Sequence, residues 1–409
     1  MLWLNLLRRF NSLINDIEII YMTIKNKVLQ TVPALLLTGL LTACGGSSGS
    51  SAGAEPTTPE PTTPEPTNTL EDEFGLWLTD LANNHVLPSY QNLQTHSALL
   101  SSQTATFCAQ TNPTDNELVA LQQSWRDVVT SWQTIQWLKV GPIANDNRNF
   151  RLYYWPDSKD NVGSGITSLL ASSETVTEDF IAKQSVGSQG LPALELVLFA
   201  TGQESLLAAD DKEKRCEVIS AISANVASIS TEVNNAWQIS SGNYHAQLTQ
   251  GTGDFSSKKD AVEELVTNWL EQVERVKDEK MLVPLGAASP GLPSVAEHIV
   301  SGDAISSIQT NIATFNVIFT AGGGHGFDDI LINHLSQKNI ATEMTAAIDG
   351  AIIAATALEG SFPHLLKTDD GRIELSTAID SLRALRDVLT VDFVQATDIN
   401  IGFNSNDGD

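Results

Sequence analysis

The segment of this chain best suited to chemistry is Gly190-Leu191-Pro192-Ala193-Leu194-Glu195-Leu196-Val197-Leu198-Phe199, where one carboxylate stands between apolar residues on both sides. A helix of this composition buries most of its circumference, and a buried carboxylate needs a cation, a hydrogen-bond donor or a bound proton. Glu195 is accordingly either the partner of an Arg, Lys or His, or a metal ligand. The plainer alternative is a first-turn Glu, with Pro192 near the helix start, that interacts with the helix dipole. Several other chemistries lack their residues. No His-Glu-x-x-His is present, so the commonest zinc-protease helix is missing. Gly322-Gly323-Gly324-His325-Gly326 has no following Lys and reads as a turn between Phe319 and Phe327 rather than a phosphate loop. Gly49-Ser50-Ser51-Ala52-Gly53 matches the G-x-S-x-G spacing of serine hydrolases, but its surroundings offer no strand-to-helix elbow.

The elements that must position Glu195 are helices. Thr114-x-x-Glu117 opens a capping box, after which Leu118, Leu121, Trp125, Val128, Trp132 and Ile135 recur in steps of three and four. The same stripe returns at Ile219, Ile222, Val226, Ile229 and Val233, and at Val262, Leu265, Trp269 and Val273. Ile305, Ile308, Ile312, Phe315 and Phe319 repeat it, as do Leu375, Leu382, Leu385 and Leu389. No alternating run competes as a strand. Each stripe is too narrow for a helix buried all round, which is the pattern of bundle packing. Pro88 should kink or split the first helical stretch. The polar segment Ser240 to Ser257 marks a boundary between two bundles, at 70–243 and 244–409, and Pro284, Pro290 and Pro293 mark a second irregular stretch. The fold class expected is all-α, with two helical bundles.

The chain has 409 residues with Lys+Arg 23 against Asp+Glu 49, a formal charge of −26. That balance excludes a nucleic-acid binder dependent on phosphate neutralisation and gives a field that attracts cations. The first 43 residues read as an upstream extension followed by an export signal. From Met22 the sequence shows Lys25 and Lys27, an apolar stretch from Val28 to Leu41, and Leu41-Thr42-Ala43-Cys44. Either Met1 or Met22 is the start. The Cys after Leu-Thr-Ala resembles a bacterial lipobox, which implies acylation at Cys44, a membrane anchor there, and a place in the bacterial cell envelope, at the outer membrane facing the periplasm. Residues 44–69 form a Gly/Ser then Glu-Pro-Thr-rich tether that could reach roughly 75 Å if extended as polyproline II. In an exported protein the remaining Cys108 and Cys216 suit one disulfide; two buried thiols are the alternative.

The chain resembles the imelysin-like family, also classed as M75 peptidases, from about Glu71 to Asp409. The matching pieces are Val86-Leu87-Pro88-x-Tyr90, Gly141-Pro142, Arg151-Leu152-Tyr153-Tyr154-Trp155-Pro156-Asp157, Gly190-Leu191-Pro192-Ala193-Leu194-Glu195 and Gly402-Phe403-Asn404-x-x-Asp407-Gly408-Asp409. The resemblance implies two helical bundles, export, and a site near their interface. Many members carry G-x-H-x-x-E, whose His and Glu share one helix face and could share a metal. Here Gly190 and Glu195 match, but Pro192 occupies the His position. That departure counts against a peptidase, which needs a metal or base to activate water. Around Glu195 the resemblance suggests Asp157 and Glu297 as further oxygen ligands, Arg151 as a structural partner, Ser301 as a supporting residue, and His298 or His325 as a substitute imidazole. The function implied is a lipid-anchored binding or accessory component of metal acquisition, with a divalent or ferric ion, iron foremost, and metal-uptake proteins as partners. An M75-type metallopeptidase and a non-catalytic structural or protein-interaction lipoprotein are the alternatives.

Overall fold

Residues 68–402 are described by a computed structural model, and among them every regular element is helical. The longer helices are α1 (Leu70–Leu81), α2 (Leu87–Cys108), α3 (Asp115–Ile135), α4 (Asn161–Ala171), α5 (Gly190–Leu198) and α6 (Lys212–Trp237). They are followed by α7 (Lys258–Glu274), α8 (Ala304–Phe319), α9 (Lys338–Thr356) and α10 (Asp369–Val388). The expectations for residues 1–67, including acylation at Cys44, and for the turn Asn404–Asp409 lie outside the described residues. No helix among the described residues is long and apolar enough to cross a membrane.

Local chemistry sets the helix starts. At α3 the Thr114 hydroxyl accepts from the Glu117 amide, while the Glu117 carboxylate accepts from the Thr114 amide at 2.7 Å. Thr69 and Asp72 make a second reciprocal box at α1, in which Asp replaces the usual Glu or Gln. The apolar stripe of α3 is buried from Leu118 to Ile135, at roughly 1.5–3 kcal/mol for each large side chain. The first helical stretch is split just before Pro88: α1 passes into α2 through a π-helical turn at Ala82–Val86, and Pro88 occupies the first turn of α2.

Two helix groups share one core. Helix α2 packs between α3 and α6, α9 packs against α8 and α10, and α3 lies across onto α8. Helix α1 sits with the later elements: the amides of Lys258 and Lys259 donate to Glu71, and the Trp77 indole donates to the Ile318 carbonyl at 3.1 Å. The segment 240–257 contains the helix Tyr244–Gln250, whose buried Tyr244 meets Trp237 edge-on at 4.9 Å and donates to Asp254. Cys108 and Cys216 are joined by a disulfide that ties the end of α2 to the first turns of α6, with 5.5 Å between their Cα atoms.

Candidate functional site

Helix α5 carries Glu195 into the seam between α3 and the segment that leads into α8. Its placement depends on Gly190, which has φ +77; a Cβ there would lie 2.3 Å from the Leu152 carbonyl and 2.6 Å from that of Arg151. Only glycine lets the start of α5 lie against the backbone that presents Tyr153. Across the seam, His298 takes a left-handed conformation (φ +50), and its carbonyl accepts from the amides of Gly302 and Asp303. That tight turn points both Glu297 and His298 inward. All four groups, Glu195, Tyr153, Glu297 and His298, are buried.

A continuous hydrogen-bonded chain links them. His298 Nδ1 lies 3.0 Å from Glu195 Oε2, and His298 Nε2 lies 2.9 Å from the Tyr153 hydroxyl. The Tyr153 hydroxyl donates to Glu297 Oε1 at 2.5 Å. Glu297 Oε2 is 2.9 Å from Lys280 Nζ, a contact between charges that lies off the hydrogen-bond axis. Lys280, whose side chain has no exposed surface, donates to Gln133 at 2.8 Å and Asn311 at 2.6 Å. Gln136 donates to the same Gln133 oxygen, and the Asn311 amide donates to the Gln133 carbonyl. The backbone amide of Ser301 donates to Glu195 Oε1 at 2.9 Å.

Gln133 Nε2 also donates to Glu297 Oε1 at 3.2 Å and lies 3.5 Å from His298 Nε2, and burial and neighbouring charge bear on the protonation of each group. Burial first, and then Glu297 and Glu195, push the Tyr153 phenol well above its ordinary range, so it keeps its proton. That proton goes to Glu297, so Tyr153 can only accept from His298 Nε2. His298 then carries protons on both nitrogens. Burial opposes the imidazolium, but Glu195, with help from Glu297, outweighs it and raises His298. Burial likewise opposes the Glu297 carboxylate, and Lys280 and His298 hold it below its usual range. Burial lowers Lys280 against the pull of Glu297. Two acidic side chains thus face two basic ones along the buried chain.

The other residues suggested by the sequence lie elsewhere or play different parts. Asp157 caps α4, accepting from the Val162 amide at 2.7 Å and from Asn161, and does not join the chain. Arg151 reaches the side-chain oxygens of Gln189 and Asn225 rather than Glu195. Ser301 contributes its amide, and its hydroxyl donates to the His298 carbonyl. His325 belongs to a separate cluster, with its Nε2 2.6 Å from Glu73. Tyr153, Lys280, Gln133 and Asn311 were not singled out by sequence. Lys280 had a readable signal: Trp269, Val273, Val276 and Lys280 follow steps of four and three, which put a lysine on an apolar stripe.

A metal does not fit this arrangement. Both Glu195 oxygens and both His298 nitrogens are engaged, and the ammonium of Lys280 takes the cation position beside Glu297. Among the described residues no three His, Cys, Asp or Glu side chains gather where they could hold one ion. The arrangement can hold a proton on His298 and fix the seam. Its one carboxylate oxygen without a hydrogen bond, Glu297 Oε2, lies 2.9 Å from the Lys280 ammonium.

Two solved structures share the fold. An imelysin-like protein from Psychrobacter arcticus 273-4 superposes with a TM-score of 0.69 at 20% identity, covering 82% of this chain and 99% of that one. A protein described as an iron-regulated protein A precursor, from Parabacteroides distasonis ATCC 8503, gives 0.64 at 17% identity, covering 82% and 97%. A search of curated protein sequences finds no match. The imelysin (M75 peptidase) family model matches residues 86–389, which take in Tyr153, Glu195, Lys280, Glu297 and His298. The chain therefore belongs to the imelysin family.

Proposed function

We propose that the protein is an exported, lipid-anchored accessory component of metal acquisition that works without peptidase chemistry, held at the outer membrane by Cys44 and organised as bundles at 70–243 and 244–409. The observation that carries this reading is the buried chain from Glu195 to Lys280, in which each acidic side chain already faces a basic one. A peptidase of this family would need an activated water, and Pro192 stands where an imidazole could have served it. Iron is the metal favoured by the family likeness and by the description of the Parabacteroides distasonis relative. The accessory reading assigns contact with uptake proteins, and not storage of the ion in the buried seam, to this chain. One experiment tests it. A strain lacking the protein should grow more slowly only when iron is scarce and recover with the wild-type gene. The purified mature protein should cleave no unfolded protein substrate and show no stoichiometric heat with iron, zinc or copper. Metal-dependent cleavage would establish the peptidase alternative, and stoichiometric metal binding lost in Glu195→Ala would make the seam a metal site. A strain indifferent to iron would leave the structural or protein-interaction reading.

A further inference from the structure

A second region of the molecule opens into a cleft lined by polar side chains. Between α2 and α3 runs a cleft of about 400 Å³, within the range of roughly 300–1,000 Å³ typical of small-molecule sites. Ser89, Asn92 and His96 line it from α2 in steps of three and four, and Asp127, Thr130, Ser131 and Thr134 line it from one face of α3. Facing helix stripes usually close on apolar side chains. Here every lining residue carries a hydrogen-bonding group, and the small hydroxyl residues leave the space open.

Much of that capacity is unused. Ser89, only 6% exposed, makes no side-chain hydrogen bond to the described residues, and neither do Asn92 and Thr130. His96 commits Nδ1 to Ser131 Oγ at 2.7 Å, which leaves Nε2 free, and Asp127 accepts from Gln123 through Oδ1 alone. A Ser–His pair beside an Asp invites a hydrolase reading, but Ser131 lies inside a helix. Its neighbours' amides are spent within α3, so no oxyanion hole exists, and its hydroxyl is 2.9 Å from the Asp127 carbonyl. Ser131 is therefore not placed to act as a nucleophile.

We propose that this cleft binds a small hydroxyl-rich molecule that is uncharged or carries one amine. Hydroxyls of such a ligand match the free donors and acceptors of Ser89, Asn92, Thr130 and His96, and the free oxygen of Asp127 receives the amine. The charge of −26 turns anions away. Calorimetry on the mature protein with glucosamine, glucose and glucose 6-phosphate tests the assignment. Glucosamine should bind best, glucose more weakly, and the phosphate ester not at all. Asn92→Leu, at an exposed position, should weaken both sugars about tenfold, and Asp127→Asn should erase the preference for glucosamine. The absence of heat with every probe overturns the proposal. So does equal binding of the phosphate ester, or binding unchanged in both variants when circular dichroism shows them folded.

Discussion

Two places in this protein set histidine against glutamate, and they teach different lessons. In the seam, His298 and Glu195 meet at 3.0 Å with almost no solvent contact. At the outer end of α1, His325 meets Glu73 at 2.6 Å and His334 approaches it at 3.7 Å, with both imidazoles about a quarter exposed. The second pair is the shorter, yet it is the weaker structural device. Water and salt reach the quarter-exposed imidazoles that face the buried Glu73, whereas a charge in the seam that loses its partner has nowhere to turn. Burial, and not distance, determines how much each pair commits the fold.

The sharpest way to break this contrast is to remove one charge from the seam. Lys280→Met leaves Glu297 buried without its cation and should destabilise the protein by about 3–5 kcal/mol in urea unfolding. The double variant Lys280→Met with Glu297→Leu removes both charges and should recover most of that loss; no recovery would mean that the pair acts through packing alone. Glu195→Ala should cost a similar amount, because it strands the His298 imidazolium and leaves the Ser301 amide unpaired.

Titration gives a smaller and more specific effect. The folded pKa of His298 lies above the ordinary value of 6.5. Its stabilising contribution is therefore complete below the unfolded pKa and disappears as the pH rises through the folded one. Unfolding free energy measured upward from pH 6.5 should fall, and His298→Gln should flatten that slope. The smallest effect belongs to Glu73, whose histidine partners are open to solvent on one side. Glu73→Gln should change stability by no more than about 1 kcal/mol, and added salt should shrink the difference further.

Particular residues show how much of this was legible. The stripe from Leu118 to Ile135 and the Thr114–Glu117 box were written in the sequence and are found as helix α3. Glu195 stood out because carboxylates are rare in apolar helices, and Glu297 and His298 entered through the family resemblance. Tyr153 lies inside the Arg151–Asp157 motif, but nothing local to that segment shows that its hydroxyl meets Glu297 and His298, which come some 145 positions later. Arg151 was the expected basic partner of Glu195, yet it turns to Gln189 and Asn225. The partner of Glu195 is instead His298, 103 positions further along the chain, while Lys280 serves Glu297.

The sequence by itself determined the all-α class, the helix stripes and caps, and the presence of a carboxylate that needed a partner, because each depends on residues within a few turns of one another. Only the tertiary structure decided which partner that would be. The left-handed turn at His298, the close approach permitted by Gly190 and the reach of Lys280 across the seam are relations among distant segments. Helical periodicity shows which face a residue occupies; it does not say which face it meets.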